Sequence, residues 1–226
     1  MFGHSLLSIS HSYRSFVKDS IEPVSDGFSD VYSLVRVNPL AELSRYVPWG
    51  DFSQHRQSYK IDNSNIPENL KIFPTPVHYL PFKRYYRSLG EKHYSSVIKT
   101  IKKQDLSFDM IHAHFTWTAG YVGAKVKEDY HCPFVVTAHG HDVYSLPFKD
   151  QDWKEKIEFV LNTADAIITV SQSNKRCIDQ LDVGSPVTVI PNGFSSDLFF
   201  PRDQTACRKK LGLPIDKKII LTAGNF

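Results

Sequence analysis

The chain carries ten histidines, and His112, His114, His131, His139 and His141 fall within thirty residues of one another. Near neutral pH an imidazole can shuttle a proton, and its N–H groups can hold a phosphate or a hydroxyl. The same side chain at a strand end can equally do no more than close a loop by hydrogen bonding. The His-x-His of residues 112–114 and the His139-Gly140-His141-Asp142 run offer nitrogen and oxygen donors to a metal. Alternation along a strand produces such pairs by chance, so no metal is expected. In His139-Gly140 the glycine would let a ligand approach the backbone closely, or it would simply make a tight βα turn. Asn192-Gly193 reads in the same two ways, since Asn-Gly is a common turn dipeptide.

These residues need elements to hold them, and the second half of the chain supplies a regular series. Residues 108–114 (FDMIHAH) and 133–138 (PFVVTA) are short apolar runs of strand length, as are 164–170 (ADAIITV) and 187–190 (VTVI). Between them, helical spacing appears over 119–127 and 152–162, and Ser171 is a natural N-cap for a further helix. Strand and helix alternating at this spacing imply an α/β fold, with a Rossmann-like parallel sheet covered by helices on both faces. In such sheets ligands bind outside the carboxyl ends of the strands. His112, His114, His139, Gly140, Asp142, Ser171, Asn192 and Gly193 all fall at or near such ends, which makes them the candidate site.

The first half is less regular. Residues 13–24 give a helical stripe and 30–37 (DVYSLVRV) a strand. Six prolines between 39 and 81 predict loops with an extended piece near 71–80, and residues 89–103 return to helical spacing. Residues 1–12 read poorly as a strand, because serines and histidines interrupt Leu6, Leu7 and Ile9. After Gly193 the prolines at 201 and 214 mark a linker containing a short helix near 205–211, and residues 217–226 read as a fresh strand. The expected organisation is a Rossmann-like domain over 1–193, a linker over 194–216 and, over 217–226, the first strand of a truncated second domain.

Composition bounds the function. With 226 residues, 41% hydrophobic and 23% charged, the chain can bury a sizeable core. A formal net charge of +3 is too weak to argue for a nucleic-acid binder, and no nucleic-acid partner is expected. Three scattered cysteines make no disulfide framework and fit a reducing cytoplasm. No run approaches the roughly 20 apolar residues of a membrane span. Lysines and arginines interleaved with aromatics over 82–103 could meet an anionic membrane surface or a charged saccharide, or form a solvated helix face. Phosphate-loop, serine-elbow and dinucleotide-glycine motifs are absent, which leaves nucleophilic hydrolases and classical dehydrogenases without support.

Taken in order, the runs FDMIHAH (108–114), Gly120, FVVTAHGHD (134–142), ADAIITVS (164–171), VIPNG (189–193) and Phe200-Pro201 resemble the retaining family 4 glycosyltransferases of GT-B fold. The likeness covers residues 105–226 well and residues 16–37 more weakly. It implies two Rossmann-like domains facing a cleft, with the acceptor mainly on the first and a nucleotide-sugar donor mainly on the second. It further implies sugar transfer to a saccharide or lipid-linked acceptor, with retention of configuration and no required cofactor or metal. In that scheme His139 is the catalytic-site histidine lying with Gly140 against the transferred sugar. His112, His114 and Asp142 stand near the acceptor or the cleft floor, and Ser171, Asn192 and Gly193 at cleft-side strand ends. The family's donor-binding signature falls beyond residue 226, so the chain is expected to be a fragment, inactive alone, working in the cytoplasm or at a membrane surface. A sugar-nucleotide epimerase of the same fold, and a non-catalytic module completing a split transferase, are the alternatives.

Overall fold

The computed structural model describes residues 3–46, 55–80 and 83–222, excluding the side chains of 83 and 84. It divides into two compact units, Met1–Asn192 and Gly193–Phe226. In the first, seven parallel strands form one sheet: β1 (Ser5–Ser10), β2 (Asp30–Val37), β3 (Leu70–Pro76), β4 (Met110–His114), β5 (Phe134–Ala138), β6 (Ala166–Thr169) and β7 (Val187–Val189). Their spatial order is β3-β2-β1-β4-β5-β6-β7. The connecting helices are α1 (Ser15–Ser25), α2 (Lys83–Tyr86), α3 (Leu89–Gln104), α4 (Tyr121–Tyr130), α5 (His141–Tyr144), α6 (Gln151–Thr163) and α7 (Gln172–Ile178).

The expectation for residues 1–12 is corrected here. β1 is an interior strand of the sheet, paired on one side with β2 and on the other with β4. Leu7 and Ile9 point into the core that also holds Ile111, Phe134 and Val136, while Leu6 joins the opposite core with Val17, Ile21 and Val31. The serines do not interrupt the strand. Ser8 is in register with Ser33 of β2 and His112 of β4, and both serines are fully buried. A small side chain suits the middle of a sheet packed on both faces, and its hydroxyl leaves no trace in an apolar periodicity.

At the other edge of the chain's first half, β3 accommodates Pro74 and Pro76 because it is an outermost strand, whose free side needs no ladder donors. Within the sheet's cover, α4 lies close on β5: a Cβ at Gly123 would stand 2.4 Å from the Phe134 ring. α6 begins where Asp150 accepts from the Trp153 N–H at 3.0 Å. Ile157, Val160 and Leu161 then bury the stripe expected of it.

The second unit contains α8 (Gln204–Leu211), capped by Asp203 through the Ala206 N–H at 2.7 Å. The strand expected over 217–226 is not formed in its described part, 217–222, and the remainder lies outside the described residues. A strand exists only through ladder hydrogen bonds to a neighbour, and among the described residues none pairs with this segment. Instead, the Arg208 guanidinium takes the carbonyls of Pro214, Ile215 and Lys217.

Candidate functional site

The strand order reverses between β1 and β4, the point at which doubly wound sheets open a crevice at their carboxyl ends. The loops leaving these two strands bring an aromatic and histidine cluster to that place. His11, directly after β1, stacks on Phe115, directly after β4, with ring centroids 4.9 Å apart. His139, directly after β5, lies 4.6 Å from Phe115 and 4.8 Å from Phe16 at the start of α1. His114 closes the group, its Nδ1 3.2 Å from His139 Nε2.

That last contact has a consequence for protons. Two neutral imidazoles sharing one hydrogen bond leave one N–H and one lone pair on their outer nitrogens. These are His114 Nε2 and His139 Nδ1, both buried and without a partner among the described residues. The pair therefore presents one donor and one acceptor whichever tautomer holds. Burial keeps both rings neutral: His114 falls well below the ordinary imidazole value, with His112 and His139 adding repulsion. His139 is lowered to about 4, by burial first and by His112 second. His11 is likewise held neutral by burial and by Arg36, and its Nε2 meets the Trp117 carbonyl at 2.7 Å.

His112 sits inside β4 rather than at its end. It shares the face of His114, with rings 4.3 Å apart, and its Nε2 meets Thr137 Oγ1 at 2.8 Å. Burial lowers it to about 4. Asp142 is only 3% exposed, and its two carboxylate oxygens accept the N–H groups of Thr116 and Gly140, each at 2.8 Å. It thus ties the loop after β4 to the loop after β5, which fixes Phe115 and His139 relative to each other. Burial pushes its pKa up, against the pull of the amides that bond it. Gly140 itself has φ +147°, a conformation open to glycine and strained for any L side chain.

Ser171 spends its hydroxyl on the Asn174 N–H at 3.1 Å, capping α7. Asn192 is exposed at the end of the first unit, and Gly193 opens the second, also exposed. The structure therefore joins His114, His139, Gly140 and Asp142 in one place, with His112 one turn of the pleat deeper, while Ser171 works as a cap. Sequence reasoning missed His11, Phe16 and Phe115. Accepting residues 5–10 as a strand would have put His11 at a carboxyl end like the others.

Among the described residues, no group of three or more His, Cys, Asp or Glu side chains is arranged to hold a metal ion. No helix among them is long and apolar enough to cross a membrane. α3 buries Leu89, His93, Val97 and Ile101 and leaves Lys92, Lys99, Lys102 and Lys103 outward.

A doubly wound parallel sheet with this cluster at its switch point defines a Rossmann-like domain of the kind that makes up GT-B proteins. Solved structures share that fold. Sucrose-phosphate synthase from Thermosynechococcus elongatus superposes with a TM-score of 0.56 at 16% identity, over 92% of this chain and 95% of that one. UDP-N-acetylglucosamine 2-epimerase from Rickettsia bellii gives 0.55 at 12% identity, over 94% of this chain and 52% of that one. Residues 51–198 match the family described as Glycosyltransferase Family 4, and the chain belongs to that family. Relatives include the teichuronic acid biosynthesis glycosyltransferase TuaC of Bacillus subtilis, 33% identical over 58% of this chain and 34% of its own length. The D-inositol 3-phosphate glycosyltransferase of Thermobispora bispora is 32% identical over 53% of this chain and 30% of its own length. The chain thus spans about a third of the length of the curated relatives it matches.

Proposed function

We propose that the protein transfers a sugar from a nucleotide-sugar donor to a saccharide or lipid-linked acceptor, with retention of configuration, and that this chain supplies the acceptor-side wall of the site. The observation that carries the reading is the His114–His139 pair beside Gly140 at the switch point of a family 4 domain. His139 is the proposed catalytic-site residue. Kept neutral by burial, its ring stands beside the transferred sugar without adding a charge. Gly140 lets that sugar lie against the backbone, and Asp142 holds both loops in place. His112 and His114 form the floor, and Asn192 and Gly193 take a place on the substrate side. As the sugar–diphosphate bond breaks, charge gathers on the leaving phosphate, so positioned donors dominate the rate. No cofactor or metal enters this scheme.

In the same reading the outward lysines of α3 meet an anionic lipid surface, placing the protein at the cytoplasmic face of a membrane. Phe82, part of the expected basic-aromatic segment, lies outside the described residues.

The test is nucleotide release by the gene product at its natural length, offered a panel of nucleotide sugars with and without saccharide and lipid-linked acceptors. Release that requires an acceptor, drops at least a hundredfold in His139→Ala and is absent from the 226-residue chain alone is the expected result. Conversion of the nucleotide sugar without an acceptor would make the protein an epimerase instead.

A further inference from the structure

Beside the histidine cluster, on its β2 side, the loop after β1 and the segment before β3 enclose a cavity of about 370 Å³ whose walls include Arg14, Ser15, Phe16, His55 and Lys60. The two segments are pinned to each other rather than merely adjacent. The Tyr13 N–H donates to the Lys60 carbonyl at 2.7 Å, and the Asp62 N–H donates to the Tyr13 carbonyl at 2.9 Å. Lys18 of α1 adds a third tie, its Nζ 3.2 Å from Asp62 Oδ2 and bonded to Ser64.

Positive charge converges on this cavity from three directions. Arg14 and Lys60 line it. Arg36, 9% exposed, stands near enough to repel Lys60 and His55. Its guanidinium donates to Thr118 Oγ1 at 2.8 Å and lies 5.7 Å over the Tyr79 ring, both neutral partners. Among the described residues neither Arg14, Arg36 nor Lys60 forms an ion pair with a carboxylate, whereas Lys18 nearby has two. Buried cations are ordinarily paired, because an unpaired one loses hydration without return. The third contribution is backbone. α1 begins at Ser15, within the cavity wall, with no side-chain cap and no acidic residue in its first turn. The Val17 and Lys18 N–H groups turn back to the Arg14 carbonyl, which leaves Ser15 and Phe16, both in the cavity wall, and the positive end of the dipole at this space. Burial and Arg36 together lower the Lys60 pKa, a strain that an arriving anion relieves.

Phe16 connects this cavity to the cluster, since it lines the cavity and contacts the His139 ring at 4.8 Å. The cavity belongs to the loops that follow β1 and β2. We propose that the cavity holds an anionic group of the acceptor, a phosphate or a carboxylate, through Arg14, Lys60 and the first turn of α1, setting the acceptor beside His139. The word acceptor rests on the transferase reading; the anion site rests on the cavity alone.

The experiment is calorimetric titration of the 226-residue chain at pH 7 and low salt with glucose 6-phosphate, glucuronate, neutral glucose and UDP. One of the two anionic sugars is expected to bind saturably, more weakly as salt rises, while glucose does not. Lys60→Gln and Arg14→Gln are each expected to weaken that binding tenfold or more, with Lys60→Arg restoring most of it. Arg14 is exposed, so its variant keeps the test valid even if the Lys60 variant fails to fold. Equal binding of glucose, absence of saturation, or indifference to both substitutions would overturn the site. Displacement of the bound sugar anion by UDP would assign the cavity to the donor's diphosphate and overturn the acceptor assignment. Because binding is the readout, these outcomes stand apart from success or failure of nucleotide release.

Discussion

Acidification should unfold this protein through its neutral histidines before its carboxylates matter. His11, His93, His112, His114 and His139 all have their folded pKa depressed, chiefly by burial. In the unfolded chain each titrates near 6.5, so below that pH the unfolded state binds more protons and stability falls with pH. The histidine contribution is intact above about pH 6.5 and is lost as pH drops toward the folded values. Each such group gives a slope of about 1.4 kcal/mol per pH unit while the unfolded form is protonated and the folded form is not. For His112 and His139, lowered to about 4, that makes ~2.7 kcal/mol per unit between pH 6 and 5 before the other three are counted. A domain near the lower end of the usual ~5–15 kcal/mol of stability would then unfold above pH 4. Asp142, whose pKa is raised, works against the trend by taking its proton earlier when folded. Asp62, Asp150 and Asp165, all lowered, add their losses only at and below the carboxylate range. Urea unfolding at half-unit steps from pH 7.5 to 4.5 measures the slope, and His112→Gln should reduce it by about 1.4 kcal/mol per unit. A slope below that of a single histidine across pH 6.5–5 would refute the assignment of these rings as neutral in the folded state.

Three substitutions probe the loops. Asp142→Asn replaces one amide acceptor by a second donor facing an N–H, and should cost about 2 kcal/mol in denaturant unfolding while loosening the Phe115–His139 contact. Gly140→Ala forces an L side chain to φ +147° with its Cβ 3.2 Å from the Tyr144 ring, and should lower the melting temperature by several degrees, a loss of ~1–3 kcal/mol. Ser171→Ala removes the α7 cap and should cost about 1 kcal/mol with no effect on anion binding by the cavity, as the same titration would show.

What the residues alone determined was the alternating half of the sheet. β2, β4, β5, β6 and β7 announce themselves because each is an apolar run bounded by breakers, and burial on both faces of a parallel strand requires that composition. Family membership was legible for the same reason: the chemically distinctive residues sit at fixed points after such runs. Ser171 could be read as a cap because the interaction is local to four residues. β1 was not legible, since Ser8 and Ser10 fit only where neighbouring strands crowd them, and crowding is a property of the assembled sheet. For the same reason His11, Phe16 and Phe115 entered the site only once β1 stood next to β4. The roles also depended on the tertiary structure. Asp142 reads in the sequence as one more polar residue of a histidine run, yet packing buries it and commits its oxygens to two backbone amides. Arg14, Arg36 and Lys60 lie far apart in the chain, and their common field exists because two loops are hydrogen-bonded across Tyr13. Charge acts through space over several ångströms, whereas sequence records only order along the chain, so the anion cavity could be found only in the folded protein.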